Sequence, residues 1–209
     1  MVLQVPQTRY PESDGQPMAD NTKQFRWIVL IKENLEAIFA DEAEVFIAGD
    51  LLWYPVKGDA SLRVAPDVMV VFGRAKGDRG SYIQHREGDI APQVVFEILS
   101  PGNTRTEMDK KLLFYERYGV EEYYLYDPER NDLSGWLRND GDTAGRLDVI
   151  DPMAGWVSPR LGVCFDLSGE ELVMRKPDGE AFRTLAEERS KSERMAAKLR
   201  ELGIDPLDL

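Results

Sequence analysis

The chain has 209 residues, with 38 acidic against 26 basic side chains and a formal net charge of −12, a balance that argues against coating nucleic acid through bulk charge. Its 43% hydrophobic and 10% aromatic content excludes a disordered chain, no apolar run approaches the roughly 18 residues that span a bilayer, and the start MVLQVPQTRYPESDGQP lacks the pattern of a secretory signal. A single cysteine, Cys164, and a single histidine, His85, leave carboxylates and lysines to carry any metal or acid–base chemistry, and make a reducing cytoplasm the simplest home.

Residues 1–20 are rich in Pro, Asp, Gln and Ser without a period and predict a flexible N-terminal arm; 21–180 predict the folded domain and 181–209 a helical tail. Asn21 or Thr22 caps a helix that runs to about Ala40, with Phe25, Ile28, Leu30, Ile31, Leu35 and Ile38 apolar. EVFIAG (44–49) and DLLWYPV (50–56) read as a strand pair turning near Gly49-Asp50, and APDVMVVFG (65–73) as a buried strand entered through Pro66-Asp67. The Gly- and Arg-rich stretch 74–89 reads as a long loop. Residues 62–86 gather Arg63, Arg74, Lys76, Arg79 and Arg86 against only Asp67 and Asp78, a local cationic patch in an acidic chain.

QVVFEILS (93–100) is the strongest strand. Pro-Gly-Asn breaks it, a helix follows over Thr104–Tyr118 with Gly119 as its stop, and EEYYLYDP (121–128) is the next strand. A strand–helix–strand unit with short connections favours a right-handed crossover between neighbouring parallel strands. Short strands at 132–138, 146–151, 163–167 and 171–176, separated by turn signals at Asn139–Gly141, Pro152–Gly155 and Pro177–Gly179, predict a β-meander appended to this core. A charged helix over about 182–202 follows, with Leu185, Met195, Leu199 and Leu202 free to pack on the domain or on a partner subunit; its five basic and four acidic side chains between 187 and 201 do not make a nucleic-acid arm. The architecture expected is α/β, a mixed sheet flanked by helices.

Three charged positions stand out against this apolar frame. Glu97 interrupts Val94-Val95-Phe96 and Ile98-Leu99 in a strand that reads as covered on both faces, where an ionised carboxylate costs several kcal/mol unless donors or a cation compensate. Asp67 sits at the mouth of the other buried strand; alone it is a turn residue, but two carboxylates on adjacent strands repel unless they share a cation or a proton. On the 104–118 helix, 100° per residue puts Met108, Lys111, Leu112, Phe114, Tyr115 and Tyr118 on one broad face with Glu107, while Lys110 points away. Lys111 is thereby folded back towards the two acids, and Glu107, four residues earlier, is placed to pair with it. His85 reads as a surface histidine and Cys164 as a small core residue. Trp53, Trp136 and Trp156 lie near turns, where packing is the default and stacking on bases the alternative.

Pro66-Asp67 followed by a strand bearing Glu97 and a nearby basic residue resembles the PD-(D/E)XK nuclease superfamily. More narrowly, PQVVFEILSPGNTRTEMDKKLLFYERYGVEEYYLYDP (92–128) resembles the Uma-type restriction-endonuclease-like family of bacteria. The matching positions are Asp67, Glu97, Ser100-Pro101, Glu107, Lys111, Tyr115, Gly119-Val120, Glu122-Tyr123 and Asp127-Pro128, and the likeness covers about residues 22–170. The superfamily's lysine usually lies two residues after the Glu, where this chain has Leu99; the resemblance implies that Lys111 replaces it from the helix.

The likeness implies a restriction-endonuclease-like fold and metal-assisted hydrolysis of DNA. Asp67 and Glu97 would hold Mg²⁺, with Mn²⁺ as a substitute, beside a backbone carbonyl near Ile98 or Leu99. Lys111 would act on the water or the phosphate, Glu107 would hold Lys111, and Arg74, Lys76, Arg79 and Arg86 would touch the nucleic acid backbone. Cutting both strands favours a homodimer. RNA as substrate, and a non-catalytic binding or assembly module that keeps the fold, are the competing readings.

Overall fold

The computed structural model describes residues 8–15, 17, 19–139 and 145–205. Its first helix, α1 (Thr22–Ile38), starts where Asn21 accepts the Gln24 backbone N–H at 2.9 Å and buries Trp27, Ile28, Ile31 and Leu35 along one stripe. The strands β1 (Val45–Gly49), β3 (Val68–Phe72), β5 (Val94–Ile98), β6 (Glu122–Asp127), β7 (Asp132–Arg138) and β8 (Leu147–Val149) form one sheet in the order β1-β3-β5-β6-β7-β8. Only β5 and β6 run parallel, joined by α2 (Arg105–Arg117); every other pairing in this sheet is antiparallel.

Alternation along the central strands divides the core in two. Val68, Val70, Val94, Phe96, Ile98, Tyr124 and Tyr126 face α1 and a small hairpin of β9 (Cys164–Asp166) and β10 (Val173–Arg175). Met69, Val71, Val95 and Tyr123 face the other way, where they meet Trp53 and Tyr115 of α2. The near-continuous apolar runs of β3 and β5 are the signature of strands covered on both faces. Thr104 caps α2 by accepting the Glu107 N–H at 3.2 Å, and Gly119, at φ +93, turns the chain from α2 towards β6 in a conformation that costs glycine little.

Several expectations are corrected. The segments at 44–49 and 50–56 do not pair with each other: β1 pairs with β3, while the short β2 (Trp53–Tyr54) runs parallel to β4 (Tyr82–Ile83) in a separate two-stranded sheet. The 74–89 stretch is therefore not all loop, because it supplies β4 and a single 3₁₀ turn, Gln84–Arg86. The meander divides: β7 and β8 extend the main sheet, and only β9 and β10 stand apart. The turn expected at Asn139–Gly141 lies mostly outside the described residues. Residues 1–7, 16 and 18 of the expected arm also lie outside them. In the rest of the arm, Tyr10 packs edge-on to Tyr54 at 5.1 Å, Pro11 accepts the Tyr54 hydroxyl at 2.7 Å, and Asp20 accepts the Ser100 hydroxyl.

The tail helix α3 (Leu185–Glu201) opens with a capping box between Thr184 and Glu187 and buries none of its residues. No described helix is long and apolar enough to cross a membrane.

Candidate active site

The register of β3 on β5 pairs Val68 with Phe96 and Met69 with Val95. One step further along, Asp67 falls beside Glu97, and alternation turns both towards α2. Both are buried, at 8% and 2% exposure. From α2, Lys111 Nζ donates to Glu97 Oε2 at 2.8 Å and the Tyr115 hydroxyl donates to Glu97 Oε1. Asp67 Oδ2 accepts the Ile98 backbone N–H at 2.7 Å. From α1, Gln24 Nε2 donates to the Ile98 carbonyl at 3.0 Å, with a longer contact of 3.5 Å to Asp67 Oδ2. Helices on opposite faces of the sheet thus reach the same two strand ends.

The helix-face reasoning places Lys111 inside and Lys110 in solvent, as the structure has them. It misplaces the ion pair. Lys111 bonds Glu97, whereas Glu107 is exposed on the first turn of α2 and contributes only a distant attraction. The physical reason is burial: an exposed carboxylate is solvated by water, but a buried one must find a cation or donors within the protein.

The electrostatics follow from this crowding. Burial, and then the charge of Glu97, push the Asp67 carboxyl up to about 8 against the opposing pull of the Ile98 N–H, Lys111 and Gln24. Burial works to lower the Lys111 ammonium, but the adjacent Glu97 carboxylate outweighs it and the pKa is raised, so Lys111 stays charged at neutral pH. Burial and the Glu97 charge hold the Tyr115 hydroxyl well above its usual range, which keeps it a donor.

Sequence reasoning leaves two residues here unmarked and a third without its role. Tyr115 is on the packed face and among the family-like positions, but nothing in the sequence assigns its hydroxyl to Glu97. Gln24, 7% exposed, was passed over as part of a helix start. Asp50, taken as a hairpin turn, adopts φ +47 and donates its N–H to the carbonyls of Pro66 and Asp67, continuing the β1–β3 register to the edge of the site. Burial, Asp14 and Glu97 push its carboxyl up to about 6, against Lys111. No sequence signal marks Asp50, because the pairing that brings it to Asp67, β1 with β3, is not the one the sequence suggests.

Asp67, Glu97 and the Ile98 carbonyl are hard oxygen donors of the kind Mg²⁺ takes, and the mutual repulsion of the two acids is what a divalent cation relieves. The Tyr123 hydroxyl, fully buried and without a hydrogen-bond partner among the described residues, lies within electrostatic reach of both acids. Among the described residues no group of three or more His, Cys, Asp or Glu gathers closely enough to hold an ion. Two carboxylates, a carbonyl and waters fit the sparse protein ligation of Mg²⁺ better than a closed cage.

Other candidates fall away from this point. Arg79 lies over the Phe46 ring at 3.9 Å and pairs with Glu87 at 2.8 Å. Lys76 donates to the Phe39 and Ala40 carbonyls at the C-terminal end of α1, a position the helix dipole favours for a cation. Arg86 lies over Tyr10, and Arg63 and Arg74 donate to nearby carbonyls. Trp53 is fully buried and donates to Gln84 at 3.0 Å, while Trp136 and Trp156 are half-buried, stacked on Tyr123 and bonded to Tyr124. None of the three is an exposed platform for a base. His85 is half-buried beside Tyr10, and Cys164 is half-buried rather than core. Glu122 is fully buried at the opposite end of β6 from the Glu97 site, accepting from Tyr124, from the Ser158 hydroxyl and from the Arg160 N–H, a closed structural network.

Comparison with curated proteins gave no match. Among solved structures, the chain shares its fold with one described as "a putative nuclease belonging to DUF820" from Anabaena variabilis ATCC 29413. The TM-score is 0.51 and the identity 19%, over 77% of this chain and 88% of that one. The family model described as "Uma2: Putative restriction endonuclease" matches residues 4–163. With the match spanning the sheet, both of its flanking helices and the Asp67–Glu97–Lys111 cluster, the chain belongs to the Uma2 family.

Proposed function

We propose that the protein is a divalent-metal-dependent endonuclease that hydrolyses phosphodiester bonds in DNA, acting as a homodimer where both strands are cut. The observation that carries this reading is the convergence of Asp67, Glu97 and Lys111 at one point, with Lys111 2.8 Å from Glu97, in a region where apolar packing would serve stability better. The net charge of −12 and the apolar Leu99 at the superfamily's lysine position favour a non-catalytic module; against the second, Lys111 brings an ammonium to the same carboxylate from the helix.

When bound, Mg²⁺ or Mn²⁺ supplies positive charge to the scissile phosphate and lowers the pKa of water. Asp67 and Glu97 hold it, with the Ile98 carbonyl as the third protein oxygen. Lys111, kept protonated by its neighbour, offsets the charge that builds on the phosphorus oxygens rather than taking a proton from water. Tyr115 and Lys111 fix the two oxygens of Glu97, and Asp50 borders the space beside them.

The test is cleavage of linear, supercoiled and single-stranded DNA, and of RNA, with Mn²⁺ or Mg²⁺. Asp67→Ala and Glu97→Ala abolish cutting and the thermal stabilisation by metal. Lys111→Ala lowers the rate by about 10²–10³ while metal still binds, and Lys110→Ala and Glu107→Ala leave most of it. Folded wild type that cuts none of these substrates, and whose unfolding temperature ignores millimolar Mn²⁺, returns the module reading.

A further inference from the structure

We propose that Gln24 of α1 is a positioning residue for the cation, holding two of its ligand oxygens in place from the opposite face of the sheet; this rests on the metal-dependent reading above. The orientation of its amide is fixed by its partners. The Asp20 backbone N–H, which can only donate, lies 2.8 Å from one terminal atom, so that atom is Oε1. The other terminal atom lies 3.0 Å from the Ile98 carbonyl, which can only accept, so it is Nε2.

An ordinary explanation exists for half of this arrangement. Gln24 is the third residue of α1, where glutamine often reaches back to the free amides ahead of a helix, and its bond from Asp20 does that. Capping does not account for Nε2. It is buried, it extends to the Ile98 carbonyl, and it makes a second, longer contact of 3.5 Å with Asp67 Oδ2. Those are two of the oxygens assigned to the cation, one on each of two adjacent strands. A single amide bridging both sets their separation and direction before any ion arrives, as outer groups do around metal ligands elsewhere. Oε1 itself is committed to Asp20, so Gln24 acts through Asp67 and Ile98 rather than on the ion.

Two substitutions at this position predict effects of opposite sign. Gln24→Leu keeps much of the volume and removes the bridge; Mn²⁺ affinity, measured by calorimetry on the full chain, falls about 10- to 100-fold. Gln24→Glu keeps the acceptor for Asp20 but sets an oxygen against the Ile98 carbonyl, which has no proton to offer it. In chelator its unfolding temperature falls below wild type, and saturating Mn²⁺ restores it, so its metal-induced rise exceeds that of wild type. Circular dichroism confirms that each variant is folded, and Gln24→Met replaces Gln24→Leu where the latter is not. Wild-type affinity retained by folded Gln24→Leu or Gln24→Met overturns the proposal, as does a metal-induced rise in Gln24→Glu no larger than wild type. A wild type that binds no Mn²⁺ overturns instead the reading on which the proposal rests.

Discussion

Asp67 is a carboxylic acid whose proton is held far more tightly in the fold than in the unfolded chain. Its pKa is pushed up to about 8 from the ordinary 3.8, by burial first and by Glu97 second. Between about pH 4 and pH 8 the unfolded chain has released this proton and the folded chain has kept it, so this residue's contribution to stability falls as pH rises through that window. Asp67→Asn removes the titration. In chelator, the stability of wild type relative to Asp67→Asn, from urea unfolding at a series of pH values, should decline from pH 4 to pH 8 and level off above; a flat difference would contradict the assignment. At this scale the sequence was partly legible. Glu97 was conspicuous because a lone acid in an apolar strand demands compensation, and Lys111 because helical periodicity put it on the packed face. Tyr115 is legible as a position but not in its role, because a tyrosine serves an apolar stripe and a carboxylate equally well. Gln24 was hidden because its burial depends on which strand ends α1 happens to cross, a tertiary fact with no local pattern.

At the scale of elements, the strand–helix–strand unit of β5, α2 and β6 was the easiest part to read, since its connections are short and its breakers clear. Pairing of the short strands was not. β2 spans two residues and finds β4 beyond an intervening strand of the main sheet, and neither carries enough alternation to fix a partner. The family-like Glu122 is an element-scale residue as well: it ties the start of β6 to the loop at 158–161 through Ser158, which in turn accepts the Leu161 N–H at 3.0 Å. Glu122→Ala strands several buried donors and should cost about 2–4 kcal/mol in chemical denaturation. Mn²⁺ affinity of the folded fraction should not change. A loss of affinity matching that at Asp67 would move Glu122 into the active centre.

For the whole molecule, α3 is a long element that buries none of its residues against the rest. Its side chains are unburied, Leu185, Met195 and Leu202 are exposed, and Lys191 reaches back to Glu180 at 2.6 Å. Since it adds little to the core, ending the chain after Thr184 should lower the unfolding temperature by less than about 4 °C, the equivalent of roughly 1 kcal/mol at this size. If the proposed homodimer forms through this helix, light scattering will give two copies for the full chain and one for the shortened chain. A larger thermal loss would mean that α3 docks on its own domain. The layers around the sheet are bound differently. Gln24 descends from one side, Lys111 and Tyr115 rise from the other, and all three end on the tips of two strands. The contacts that hold the layers together there are the ones that hold the acids ready. On the proposed nuclease reading, sequence changes that loosen this grip to speed turnover would be drawn from the margin that keeps the chain folded, so activity and robustness would compete for the same few bonds.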